Sequence, residues 1–137
     1  LANITVKLDL PHDLPTVCID ERQLQQVQVN LFTNAIQAMG AGGELGIATR
    51  LTPEDEVQIR VSDTGQGIDP TFLEHIFDPF FTTKEDGGTG LGLWVSYGII
   101  KSHKGSFTVQ STVGEGTVFT IDLPSSRKSM RCSNDKS

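Results

Sequence analysis

"NLFTNAIQAMGAGGELGIATRLTPEDEVQIRVSDTGQGI", residues 30 to 68, changes its hydrophobic period once and then breaks off at glycines. Upstream and into this stretch, Leu24, Val27, Leu31, Ala35 and Ala38 recur at helical spacing and form one apolar stripe. Asp20 followed by Gln23 predicts a capping box at the start of that helix. "GAGG" (40 to 43) predicts its end near Met39, because glycine tolerates left-handed cap geometry. The period then becomes two. "ELGIATRL" (44 to 51) and "EVQIRVSD" (56 to 63) alternate apolar with polar residues and predict a hairpin around "TPED".

Working outward, "NITVKLDL" (3 to 10) predicts a strand with one buried face, and "LPTVCI" (14 to 19) a second short strand. Leu91 to His103 reads as a helix ending at Gly105, and "SFTVQST" and "TVFTIDL" as a last hairpin across "VGEG". The order is β-β-α-β-β-(loop, short helix)-α-β-β, with no internal repeat. Helices are too few to alternate with every strand. The expected fold is therefore α+β: a two-layer sandwich of one antiparallel or mixed sheet with helices on one face. Residues 1 to 124 are expected to form the domain, and the polar, aperiodic residues 125 to 137 a flexible tail.

At 137 residues the chain suits one hydrophobic core. Its net charge of -6 argues against nucleic acid as a partner, since phosphate backbones need a clustered basic surface. No apolar run is long enough to span a bilayer. The two cysteines, Cys18 and Cys132, are expected to form no disulfide framework, which fits a reducing, cytoplasmic setting. The chain starts at Leu1 without an initiator Met, as a piece of a larger protein would.

Four clusters carry chemistry. Asn30 and Asn34 lie one helical turn apart on one face, close to the apolar stripe. Amide carbonyls are neutral oxygen ligands suited to magnesium that phosphates already hold. In "SDTGQGI" (62 to 68), Asp63 ends a strand, and Gly65 and Gly67 permit a turn closed to other residues. A carboxylate there can accept a hydrogen bond from the exocyclic amine of adenine, whereas guanine offers an oxygen. In "FDPFFTTKEDGGTGLGLWVS" (77 to 96), Gly87, Gly88, Gly90 and Gly92 bare backbone N–H groups where a helix begins, an arrangement that favours phosphate. Lys84 can add a point charge, and Phe77, Phe80 and Phe81 would anchor a loop that opens and closes. Asp69, Glu74, Asp78, Glu85 and Asp86 surround Lys84, so a triphosphate there needs a divalent cation. "GEGT" (114 to 117) by itself reads as a hairpin turn.

Taken in order, these clusters resemble the ATP-binding catalytic domain of bacterial sensor histidine kinases. The wider superfamily is shared with type II topoisomerases, mismatch-repair ATPases and heat-shock chaperones. "NLFTNAIQAM" resembles the family's N box, "DTGQGI" its G1 box, "FDPFF" its F box, "GGTGLGL" its G2 box and "GEGT" its final glycine motif, over about residues 1 to 124. The resemblance implies a Bergerat-type sandwich with a mostly antiparallel mixed sheet and a mobile ATP lid. It implies Asn34 as the magnesium ligand, Asn30 as a companion on the phosphates, Asp63 as the adenine-reading carboxylate and Thr117 as a hydroxyl supporting it. Gly65, Gly67 and Ile68 would shape the adenine pocket. Phe80, Phe81, Thr83, Lys84, Gly88, Thr89, Gly90, Leu91, Gly92 and Leu93 would form or flank the lid over ATP. Where many members carry Lys three residues after the second asparagine, this chain has Gln37, which throws more of the phosphate charge onto Lys84 and the metal.

Three readings follow: a histidine kinase's phosphoryl-donating domain, a self-contained ATPase of the superfamily, or a non-catalytic module that binds nucleotide or a partner protein. Hydrolytic relatives place a glutamate base where this chain has Asn30, and an amide cannot take a proton from water. That favours the kinase. Such kinases transfer the γ-phosphate to a histidine on an upstream dimerisation and phosphotransfer domain, and then to an aspartate of a response regulator's receiver domain. The parent would be a homodimer, with or without a membrane anchor. The prolines of "LPHDLP" disqualify His12 as the acceptor, and His75 and His103 read as surface or packing residues.

Overall fold

Helix and strand boundaries follow the local signals closely in the computed structural model, which describes residues 3–79 and 92–126. Within them run β1 (Asn3–Asp9), α1 (Glu21–Met39), β2 (Gly42–Leu51), β3 (Glu56–Asp63), α2 (Pro70–Leu73), α3 (Gly92–Ser102), β4 (Ser106–Thr112) and β5 (Gly116–Pro124). Asp20 caps α1: its Oδ1 accepts from Arg22 N at 2.8 Å and Gln23 N at 3.4 Å. The Asp20 N–H, which a capping box would give to Gln23, donates instead to His103 Nε2 at 3.4 Å. Val27, Leu31, Ala35 and Met39 form the buried stripe of α1.

The five strands form one mixed sheet in the order β1-β2-β3-β5-β4. β1 and β2 are parallel, with α1 as the crossover that parallel pairing demands. The other neighbours are antiparallel. Along β5, buried residues alternate with half-buried ones, so one sheet face carries the core. That core joins Leu45, Val61, Phe107, Phe119, Ile121 and Leu123 of the sheet to the α1 stripe and Ile100 of α3. The two-layer α+β expectation holds.

Three local expectations are corrected. Residues 14 to 19 form no strand; only Val17 makes an isolated bridge, to Ser125. Pro11 and Pro15 lack N–H donors and so cannot sustain a ladder there. The apolar face of β1 is covered only at its start: Ile4 packs against the core, whereas Val6 and Leu8 are 53% and 62% exposed, because this edge strand lies largely beyond the helices that cover β2 and β3. Cys18 is disulfide-bonded, against the expectation of no bridge, and Cys132 lies outside the described residues. The chain leaving β5 returns beside this segment, where Ser126 N donates to Thr16 O at 2.7 Å, so distance along the sequence says little about proximity here. Ser125 is fully buried. Among the described residues no helix is long and apolar enough to cross a membrane.

Candidate nucleotide site

The loop after β3 is pressed onto the carboxyl end of α1. Gln66 N donates to Ala38 O at 3.1 Å, and a Cβ on Gly65 would stand 2.6 Å from that same oxygen. Only glycine allows this approach. Gly67 has φ 78, a left-handed value that favours glycine, and the β4–β5 turn is tied to this loop where Gly114 N donates to Gln66 O at 2.8 Å. Ile68, half-buried, packs against the core beside this loop.

Asp63 closes β3 at this point and is 8% exposed. Burial pushes its carboxyl above the ordinary carboxylate range, opposed by the N–H groups of Gly65 and Thr117. The Gly65 bond to Oδ1 is 2.8 Å long. Thr117 faces Asp63 across the β3–β5 ladder and is also buried. Asp69, by contrast, is committed to the start of α2: its Oδ1 accepts from Thr71 N at 2.9 Å and Thr71 Oγ1 at 2.8 Å, which holds its carboxyl below the usual range.

Asn30 and Asn34 are both half-buried on α1, not a solvated pair. Asn30 Nδ2 donates to Gly92 O at 2.9 Å and to Ser96 Oγ at 3.0 Å, tying the first helix to the opening turn of α3. A carbonyl only accepts, so the amide must turn its nitrogen to α3 and its oxygen outward. That oxygen accepts from Gln26 Nε2 at 3.1 Å. Leu93 packs against the core from the first turn of α3. Phe77 is a core residue as much as an anchor, with ring centroids 5.0 Å from Tyr97 and 4.9 Å from Phe107. Phe80, Phe81, Thr83, Lys84, Gly87, Gly88, Thr89, Gly90 and Leu91 lie outside the described residues.

The structure thus gathers Asn30, Gly92 and Leu93 in one group, and Asp63, Gly65, Gly67, Ile68 and Thr117 in another, joined along α1. Sequence reasoning missed Gln26, Ser96 and Ser111. The signal was present for two of them: Ser96 and Ser111 interrupt apolar periods, one beside Ile100 in α3, the other after Phe107 and Val109 in β4.

Among the described residues no three His, Cys, Asp or Glu side chains converge to cage a metal. The donors at hand are neutral amide oxygens. Such a set suits a hard cation that arrives with phosphates and keeps part of its water, as magnesium does.

Residues 19–127 match the family model described as histidine kinase-, DNA gyrase B- and HSP90-like ATPase. The chain belongs to this family. The ATPase domain is 41% identical over 136 residues to sporulation kinase E of Bacillus subtilis, covering 99% of this chain and 18% of that protein. It is 45% identical over 121 residues to the sensor histidine kinase ZraS of Salmonella typhimurium, covering 88% of this chain and 26% of ZraS. The chain therefore spans roughly a fifth to a quarter of these relatives. Among solved structures, the catalytic domain of the histidine kinase ThkA superposes with a TM-score of 0.79 at 34% identity, covering 90% of this chain and 80% of that one. Full-length ShkA in complex with AMPPNP gives 0.79 at 28% identity, covering 89% of this chain and 26% of ShkA. In sequence and fold this is the catalytic ATP-binding domain of a sensor histidine kinase.

Proposed function

We propose that the domain binds magnesium-ATP and donates the γ-phosphate to a histidine on a dimerisation and phosphotransfer domain of its parent protein, from which a receiver-domain aspartate takes it. The observation that carries this reading is the Asn30 bond to Gly92, which sets the Asn30 amide of α1 against the amino-terminal turn of α3. A helix start of that kind favours phosphate. Asp63, with Gly65, Gly67, Ile68 and Thr117, would hold the adenine at the other end of α1. Asn34, with Asn30 beside it, would hold magnesium, which when bound neutralises phosphate charge during transfer. Lys84 would place its ammonium on the terminal phosphate.

The chain's own residues bind and orient. In the transfer, the bond from the γ-phosphorus to the bridging oxygen breaks as the bond to the acceptor imidazole nitrogen forms, and ADP leaves. A neutral amide at Asn30, where a hydrolase needs a base, leaves water unactivated and keeps ATP intact until the imidazole arrives. Asn34→Ala tests the metal role by calorimetric titration with a non-hydrolysable ATP analogue. Magnesium-dependent affinity should fall at least about tenfold with the fold retained, about the loss of one charge-assisted contact. Unchanged titration, or wild-type binding indifferent to chelator, would refute that role.

A further inference from the structure

Ser111 stands half-buried on β4 with three polar neighbours around one hydroxyl. Ile68 N lies 2.8 Å from its Oγ, Gly116 O 3.0 Å and Thr117 Oγ1 2.8 Å. A serine hydroxyl has one proton and two lone pairs. The Ile68 amide can only donate, so it takes one lone pair. The Gly116 carbonyl can only accept, so it takes the proton. What remains for Thr117 is the second lone pair, and the Thr117 hydroxyl must therefore donate to Ser111. Its proton is spent inside the protein, and its oxygen can only accept from anything else that approaches.

Thr117 sits directly across from Asp63, and both are buried at the end of the sheet where the loop of Gly65 and Gly67 turns. The Asp63 carboxylate also only accepts when ionised. We propose that Ser111 is a specificity-determining positioning residue: by fixing the direction of the Thr117 hydroxyl, it leaves this wall with two adjacent acceptors and no side-chain donor. Such a wall selects a base that offers an N–H, as adenine does through its amine. A guanine carbonyl at the same edge meets only oxygen lone pairs. Without Ser111, the Thr117 hydroxyl is free to turn its proton outward and accommodate that carbonyl. This inference rests on the nucleotide reading given above.

The test is titration of the full chain with magnesium and non-hydrolysable ATP and GTP analogues, comparing wild type, Ser111→Ala, Thr117→Val and the double variant. Ser111→Ala should lower the ATP-to-GTP affinity ratio about tenfold, the scale of one misdirected hydrogen bond. Ser111→Thr, which keeps the hydroxyl, should retain the wild-type ratio. In the Thr117→Val background, Ser111→Ala should change the ratio no further. Equal losses for both nucleotides would mark a merely structural serine and overturn the proposal. So would an undiminished effect in the Thr117→Val background. Should Ser111→Ala fail to fold, Ser111→Cys, nearly isosteric and a poor hydrogen-bonding partner, carries the same comparison. A wild-type chain that binds neither nucleotide defeats the function reading as well, whereas one that prefers ATP, with unchanged preference in the variants, defeats this inference alone.

Discussion

Asp63 shows what it costs to bury a carboxyl group at the end of a strand. Burial raises its carboxyl above the ordinary value, so the folded chain keeps that proton to higher pH than the unfolded chain. Its favourable contribution is complete below the ordinary carboxylate range and is lost as pH rises through the folded value. Asp63→Asn removes that loss. The unliganded variant should be more stable than wild type at neutral pH in denaturant titrations, with the advantage fading toward about pH 3, where the wild-type carboxyl is itself protonated. A variant less stable at neutral pH would contradict the burial argument. The same change introduces an amide in place of an obligate acceptor. The preference for ATP over GTP should fall by about tenfold to a hundredfold, read by competition binding.

Contacts between elements turn on which atoms donate. Asn30 joins α1 to α3 because its amide nitrogen meets the Gly92 carbonyl. Asn30→Ala loses that bond, at about 1 kcal/mol. Asn30→Asp sets a carboxylate against a carbonyl oxygen and should be worse, by roughly a further 1–3 kcal/mol, a ranking that thermal unfolding of the two variants would reverse if the amide were merely filling space. Phe77 makes a second joint, linking the segment after α2 to Tyr97 of α3 and Phe107 of β4. Phe77→Ala should cost about 3 kcal/mol in guanidinium unfolding, the low end for a buried ring because this one is half-buried. A negligible loss would show that the ring packs on the surface only. Neither partner of Phe77 was legible from "FDPFF", since an aromatic cluster in sequence does not name what it packs on.

Across the whole molecule, the proposed transfer needs a second reactant. The three histidines are placed unlike a phosphoacceptor: His12 is exposed between prolines, His75 pairs with Asp78 at 3.0 Å, and His103 spans from Ile99 O to the Asp20 N–H. Given radiolabelled ATP, the isolated chain should bind nucleotide and acquire no acid-labile phosphate. Mixing it with a histidine-bearing phosphotransfer domain should produce that label on the added domain. Labelling of the chain itself would contradict this assignment.

Local order was written in the sequence: α1 and its Asp20 cap, the β2–β3 and β4–β5 hairpins, and the glycines that turn after Asp63. Each depends on neighbours within a few residues, through periodicity, capping and backbone freedom, and such terms can be read along a line. The failed strand at 14 to 19 and the bare edge of β1 mark the limit, because pairing and coverage depend on which distant element lies alongside. The direction of the Asn30 amide and of the Thr117 hydroxyl was decided only in three dimensions. A side chain that can both donate and accept takes its polarity from partners that cannot, here Gly92 from a helix far along the chain, and Ile68 and Gly116 acting through Ser111.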